Sequence, residues 1–85
     1  MKVAYTRVFE RQFHSLDIEL QKEALEKIDL FKDFANHQQL KVHKLHGRLR
    51  GRFSFSVNYR IRIVFGYLSS NEVVLHAIGD HDVYR

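Results

Sequence analysis

The spacing of hydrophobic residues changes once along the chain, from a helical period to a period of two. In the first part, Thr6 and Asp17 are suitable helix N-caps, and each precedes an apolar stripe at helical spacing. The first stripe consists of Phe9, Phe13 and Leu16. The second consists of Leu20, Ala24, Ile28, Phe31 and either Phe34 or Ala35. The pattern predicts a short strand at Lys2–Tyr5 and then two helices, the second ending at Asn36.

Beyond a polar connection, apolar and polar residues alternate, which is typical of strands with one buried face. Residues 52–57 and 60–65 are two such segments around a turn at Asn58-Tyr59, and residues 72–78 follow a second turn. The element order is therefore β-α-α-β-β-β. It predicts one α+β domain over residues 1–85, in which two N-terminal helices cover one face of a small antiparallel sheet. The other face is expected to be open to solvent.

The alternation also predicts which side chains occupy the open face. If the phenylalanine and isoleucine positions face the helices, then Arg52, Arg60 and Arg62 point away from them. Arg48 and Arg50 point the same way as Arg52 if the strand at residues 52–57 begins early enough to include them. Several arginines on a surface a few strands wide predict a groove for a phosphodiester backbone.

The charge is distributed unevenly, with 14 Lys and Arg, 10 Asp and Glu, six His and a formal net charge of +4. No acidic residue lies between Asn36 and Asn71. That stretch contains seven basic residues: Lys41, Lys44, Arg48, Arg50, Arg52, Arg60 and Arg62. Counterion release makes nucleic-acid phosphate the leading partner for such a surface, and an acidic protein the next. A solubilising surface is the plain alternative, but such surfaces usually intersperse both signs of charge.

Composition excludes several other classes of protein. Cysteine is absent, which excludes disulfide bonds and cysteine-based zinc sites and is compatible with a reducing cytoplasm. No apolar run approaches the roughly 20 residues that span a bilayer, so no membrane is expected as a partner. The chain turns polar too soon after Met1 for a secretory signal.

Three local signatures, in order and on matching elements, resemble the RelE/ParE superfamily of bacterial toxins over nearly the whole chain. The first is His43-Lys44-Leu45-His46-Gly47 followed by Arg50-Gly51, similar to the family's Leu-x-Gly…Gly entry into its first hairpin strand. The second, at residues 58–65, reads Asn-Tyr-Arg-Ile-Arg-Ile-Val-Phe and resembles the family's Tyr-Arg-hydrophobic strand. The third, at residues 78–84, reads Ile-Gly-Asp-His-Asp-Val-Tyr and is similar to its Gly-x-His/Arg…Tyr ending.

This resemblance implies the toxin of a type II toxin–antitoxin system. Most members are ribosome-dependent endoribonucleases that cleave mRNA in the A site of the 30S subunit and inhibit translation, without a metal ion or other cofactor. The implied partners are mRNA, the ribosome and a cognate antitoxin protein, with which the toxin forms a hetero-oligomer. The alternatives are a DNA gyrase inhibitor of the ParE branch and a non-catalytic binding module, because the fold alone does not determine the function.

RNA cleavage without a metal uses the neighbouring 2′-hydroxyl as nucleophile, so the enzyme supplies a base, an acid and cations for the phosphate. Histidine suits both proton-transfer roles because its ordinary pKa lies near neutral pH. The resemblance implies His81 as the acid, His43 as the base and Arg62 as the phosphate ligand. It implies that Tyr84 stacks on a nucleobase or assists proton transfer. The other residues expected to bind RNA are Lys44, Arg48, Arg50, Arg52 and Arg60.

Each assignment has a structural alternative. Tyr84 can anchor the tail against the core, and Arg62 can neutralise Asp80 or Asp82. The adjacent His81 and Asp82 are a weak signal for a metal site. Three histidines are expected to be structural or simply exposed: His14, His37 and His76. The role of His46 stays undecided.

Two departures from the family pattern bear on function. His81 and Tyr84 are three positions apart, one fewer than in many relatives, which affects which group acts as the acid. The chain ends directly after Tyr84-Arg85, without the further C-terminal segment of some ParE-type proteins. We therefore expect RNA cleavage rather than gyrase inhibition.

Overall fold

Side-chain capping starts both helices where the sequence predicts. The computed structural model describes residues 1–84; Arg85, the last residue of the predicted domain and tail, lies outside that range. Helix α1 spans Arg7–His14, and the Thr6 hydroxyl accepts the Phe9 backbone N–H at 3.0 Å. Helix α2 spans Ile18–Phe31, and the Asp17 carboxylate accepts the Leu20 N–H at 2.9 Å. Neither helix, nor any other in the described range, is long and apolar enough to cross a membrane.

The end of α2 differs from the prediction, since the helix stops at Phe31 and not at Asn36. Residues Phe34–Asn36 form a separate 3₁₀ turn, begun by the Asp33 carboxylate, which accepts the Ala35 N–H at 3.0 Å. The Asn36 amide donates to the Leu30 carbonyl oxygen at 2.9 Å and so satisfies a carbonyl at the helix end. Phe34 is therefore 52% exposed and does not belong to the buried stripe.

The predicted α+β fold, with both helices on one face of the sheet, is confirmed. The sheet has five strands in the order β1-β5-β4-β3-β2. Their bounds are Lys2–Tyr5 (β1), His43–Lys44 (β2), Phe53–Ser56 (β3), Arg62–Ser69 (β4) and Glu72–Gly79 (β5). The sheet is mixed and not wholly antiparallel, because β1 pairs parallel with β5. The two-residue β2 was not predicted, since a strand that short has no detectable period.

The connection between β3 and β4 is longer than the predicted two-residue turn. The side-chain carbonyl of Asn58 accepts the backbone N–H groups of Arg60 and Ile61, at 2.9 and 2.8 Å. The Val57 N–H donates to the Ile61 carbonyl oxygen at 2.9 Å. The loop therefore occupies residues 57–61, β4 begins at Arg62, and the predicted strand position of Arg60 is wrong.

The strand β3 likewise does not extend upstream to Arg48 and Arg50. Residues Gly47–Leu49 form a 3₁₀ turn, and Gly51 has a φ of +92°, a backbone conformation that favours glycine. Because of this turn, the alternation of side chains between the two faces of the sheet does not extend before Arg52. The prediction that Arg48 and Arg50 continue the alternation of Arg52 is therefore wrong.

Between the helices and the sheet, the core is built around the fully buried Phe31. Its ring stacks on Phe55 and on His37, at centroid distances of 4.3 and 4.7 Å, and meets Phe65 edge-on at 4.7 Å. One side chain from α2 thus contacts two adjacent strands, β3 and the central β4. This cluster fixes the position of the helices on the sheet.

We predict that Phe31→Ala lowers the free energy of unfolding by about 3–5 kcal/mol, because it leaves a cavity at the centre of the aromatic cluster. That loss approaches the whole stability of a small domain. Urea unfolding followed by circular dichroism measures it. The matched control, Phe34→Ala, removes an exposed ring and should change the free energy by no more than about 0.5 kcal/mol. Equal effects of the two substitutions would contradict the described core.

Candidate functional site

The face of the sheet away from the helices, here called the second face, is not open as predicted. It carries Ser54 and Ser56 from β3 and Arg62, Val64 and Gly66 from β4, and Arg52 directly precedes β3. At its centre Ser54 is 0% and Val64 2% exposed. The chain after β5 turns back over this face as a 3₁₀ turn at His81–Tyr84. The C-terminal turn therefore covers the middle of the second face.

Gly79 allows this turn to lie close to the sheet. A Cβ atom at position 79 would lie 2.8 Å from Cγ1 of Val83, closer than real Cβ atoms approach another group. Tyr84 completes the turn, and its hydroxyl lies 2.8 Å from Oγ of Ser54, within hydrogen-bond distance. Ser54 had no predicted role, because a serine between two phenylalanines carries no signal of its contact with residue 84.

Two of the predicted catalytic residues contact each other in this turn. The rings of His81 and Tyr84 meet edge-on, with centroids 5.6 Å apart. The His81 side chain is exposed, whereas Tyr84 is half-buried against the sheet. The hydroxyl of Tyr84 is thus anchored, and the imidazole beside it faces solvent.

His43 lies on β2 directly opposite Ser54, so both side chains belong to the second face. Its Nδ1 lies 2.8 Å from the Lys41 carbonyl oxygen. A carbonyl oxygen only accepts, so Nδ1 carries the proton, and the Nε2 of the neutral ring is an unprotonated base. Ser54 therefore contacts Tyr84 and pairs with His43 on β2.

Arg62 lies opposite Ser56 and Gly79, at the loop end of the second face. Its Nη1 donates to the carbonyl oxygen of Asn58, and it also approaches that of Ile61 at 3.4 Å. Neither Nε nor Nη2 has a hydrogen-bond partner within residues 1–84. Two of the three guanidinium nitrogens are thus available to an anion.

The other predicted RNA-binding residues fall into three places. Lys44, Arg50 and Arg52 line a surface cavity of about 290 Å³ at the β2–β3 edge. Arg48 is exposed on the neighbouring 3₁₀ turn. Arg60 was expected beside Arg62, but the loop turns it toward a cavity of about 420 Å³ that Asp80 and Asp82 also line. Arg60 therefore stands apart from the basic surface.

Three solved structures share this architecture over nearly their whole length. One is a solution structure of a conserved hypothetical protein, HP0894, from Helicobacter pylori; its TM-score is 0.75 at 16% identity, covering 96% of each chain. The RelBE2 toxin–antitoxin complex from Mycobacterium tuberculosis gives 0.74 at 20% identity, covering 94% of this chain and 96% of that one. The YoeB–YefM toxin–antitoxin complex from Staphylococcus aureus gives 0.73 at 16% identity, covering 95% and 97%.

This chain has the fold of the RelE-like toxins. The resemblance stated from the three sequence signatures is thereby confirmed at the level of the fold. No protein-family model and no curated protein sequence matches the chain.

The remaining histidines of this RelE-like fold differ in their surroundings. His14 and His37 hydrogen-bond to the carbonyl oxygens of Glu10 and Phe31, each at 2.8 Å, as expected of structural residues. His76, also expected to be structural, lies on β5 with Nε2 3.2 Å from where a Cβ of Gly66 would lie. Its burial and the positive charge of Arg52 lower its pKa below 6.5. The fold therefore favours the neutral form of the His76 imidazole.

We predict that the Ser54–Tyr84 contact is energetically coupled. Ser54→Ala and Tyr84→Phe each remove one hydroxyl, and the double variant should be about 1 kcal/mol less destabilised than the sum of the single variants. Chemical unfolding of the four proteins gives this coupling energy. Strictly additive effects would show that the C-terminal turn does not bond to the sheet.

We also predict that His76 makes the stability of the fold rise with pH below neutrality. The folded protein disfavours the charged imidazole, so the unfolded chain binds more protons as pH falls through 6.5 and stability is lost. NMR titration should place the pKa of His76 below 6.5, and Arg52→Gln should raise it. His76→Gln should flatten the rise in unfolding free energy between about pH 5 and 7. A pKa at or above 6.5 would contradict the described burial.

Proposed function

We propose that this RelE-like chain is the toxin of a type II toxin–antitoxin system, and that it is a metal-independent endoribonuclease that cleaves mRNA on the ribosome. One observation carries the proposal: the His81–Tyr84 turn is held on the basic second face by the Tyr84–Ser54 contact, opposite His43. This arrangement supplies two imidazoles and a phenol beside a surface suited to a phosphodiester backbone.

In the proposed reaction, His43 is the base. Its Nδ1–H is held by the Lys41 carbonyl oxygen, so its Nε2 can accept the proton of the attacking 2′-hydroxyl. The 2′-oxygen forms a bond to the scissile phosphorus as the bond to the 5′-oxygen breaks. The products are a 2′,3′-cyclic phosphate and a new 5′-hydroxyl.

His81 is the proposed acid that protonates the departing 5′-oxygen. Its exposed ring can reach a bound strand, and edge-on packing against the anchored Tyr84 limits its orientation. Arg62 neutralises the charge that develops on the phosphate, through the guanidinium nitrogens that the loop carbonyls do not engage. The exposed part of the Tyr84 ring offers a surface for stacking a nucleobase.

The basic residues of the β2–β3 edge would hold the RNA backbone on either side of the cleaved bond. Lys44, Arg50 and Arg52 converge on one cavity, and Arg48 extends the positive surface from the adjacent turn. Arg60 is omitted from this track, because two carboxylates share its cavity and disfavour a phosphate there.

A cognate antitoxin is the proposed protein partner. The neighbours RelBE2 and YoeB–YefM are both toxin–antitoxin complexes. On this chain, an acidic amphipathic segment bound across the second face would match its positive charge and exclude RNA. The complex would then be an inactive hetero-oligomer.

We predict that His81→Ala and Arg62→Ala each lower the cleavage rate by about 10²–10³, and that both abolish growth arrest on induction. Primer extension on cellular transcripts during induction measures cleavage. The matched control is His14→Ala, because the exposed His14 imidazole lies on α1, away from the second face, and hydrogen-bonds to the Glu10 carbonyl oxygen of the same helix. It should leave cleavage unchanged.

Two results would contradict the proposed chemistry. One is intact transcripts in cells that stop growing while translation continues. The other is retained toxicity of His81→Ala and Arg62→Ala together with impaired DNA supercoiling, which the gyrase-inhibitor alternative predicts. Either result would leave the fold assignment unaffected.

A further inference from the structure

The loop between β3 and β4 forms one wall of a surface cavity of about 260 Å³, here called the loop cavity. Six of its lining residues are relevant to ligand binding: Lys27, Lys41, Ser56, Asn58, Tyr59 and Arg62. They come from α2, from the segment before β2, and from both sides of the β3–β4 loop. Residues far apart in the sequence thus converge on one cavity.

Three of the described residues that line the loop cavity are cations, and none is a carboxylate. Lys27 and Arg62 are half-buried, and Lys41 is exposed at a backbone φ of +60°. Glu23 is an acidic residue bound to this loop, where its Oε1 accepts the Asn58 amide at 2.8 Å, but it does not line the cavity. Within residues 1–84, none of the three cations forms an ion pair. Their charges therefore act together on whatever enters the cavity, which favours a phosphate.

Tyr59 adds a different chemical feature to the same cavity. Its side chain is 90% exposed, more than any other large hydrophobic residue of the described chain. An aromatic ring that contributes so little to the core is free to stack on a planar ligand. Stacking on exposed aromatic rings beside a positive groove is how single-stranded nucleic acids are held without sequence preference.

The loop cavity is also continuous with the second face. Arg62 and Ser56 lie opposite each other in the sheet and line the cavity as well. Ser56 is two residues from Ser54 on β3, so the two serines share the second face about 7 Å apart along the strand. A strand bound at the Tyr84–Ser54 contact can therefore continue into the loop cavity.

We propose that the loop cavity is a second nucleotide-binding subsite, in which the three cations hold a phosphate and Tyr59 stacks on the adjoining nucleobase. The subsite rests on the proposed function, since it takes RNA as the ligand. Arg62 is shared with the proposed cleavage site, whereas Lys27, Lys41 and Tyr59 belong to the subsite alone. An acidic peptide would also satisfy the cations, but its carboxylates do not stack on an aromatic ring, whereas every nucleotide carries both a phosphate and a planar base. RNA is therefore the better match.

Fluorescence anisotropy with a labelled, fully 2′-O-methylated single-stranded RNA tests the subsite, because this probe binds but cannot be cleaved. Tyr59→Ala should weaken binding roughly tenfold or more, and Tyr59→Phe should restore it, since a phenyl ring still stacks. Lys27→Gln should weaken binding and lower the slope of log affinity against log salt by about 0.7. The control is Lys22→Gln, an exposed lysine on α2 outside the cavity and 3.8 Å from Glu19. It should bind like the wild type.

The outcomes separate the subsite from the proposed catalysis. Wild-type affinity in both Tyr59→Ala and Lys27→Gln, with RNA cleavage intact, overturns the subsite alone. Tyr59-dependent binding without cleavage supports the subsite and contradicts the catalytic proposal. A glutamate-rich peptide that displaces the probe and itself depends on Tyr59 would assign the cavity to a protein partner and overturn the RNA subsite. Failure of the wild type to bind the probe, with cellular transcripts still cleaved, overturns the subsite and leaves the catalytic proposal standing.

Discussion

The contact between the hydroxyls of Ser54 and Tyr84 determines how the second face of the sheet is organised. Ser54 is fully buried, and a buried hydroxyl without a partner is costly. Tyr84 satisfies it only if the chain after β5 turns back across the sheet, which Gly79 permits because it has no Cβ against Val83. His81 then lies beside Tyr84, and His43 lies opposite Ser54. The proposed site is thus assembled by one polar contact in the middle of an otherwise basic face.

The two faces of the sheet are stabilised in different ways. On the helix side, Phe31 and its aromatic neighbours form a conventional apolar core. Both helices lie on the other face, and within the described residues the second face is covered by one short turn. Most of its polar and charged side chains therefore stay accessible. The second face thus offers a hydrogen-bonded surface for a ligand without a second hydrophobic core.

Helix caps and the spacing of hydrophobic residues predicted the elements that depend on contacts between neighbours in the sequence. Thr6 and Asp17 begin helices because their side chains bond to nearby backbone, and the alternation around Phe55 and Ile63 identifies two strands. Longer-range contacts decided the rest. The Asn58 side chain accepts the Arg60 N–H and so holds Arg60 in the loop, where it lines a cavity with Asp80 and Asp82. The spacing of hydrophobic residues does not predict this contact. The burial of Ser54 and the parallel pairing of β1 depend on residues about 30 and 70 positions away, which a pattern of neighbours cannot specify.

The proposed chemistry on the second face is attack of the RNA 2′-hydroxyl on the adjacent phosphate, with protein side chains as acid and base. The most direct measurement is the chemistry of the RNA ends made by the purified chain on mRNA-programmed ribosomes. We expect 2′,3′-cyclic phosphate or 3′-phosphate ends upstream and 5′-hydroxyl ends downstream. Intact mRNA, or cleavage that leaves 5′-phosphate ends, would contradict this chemistry.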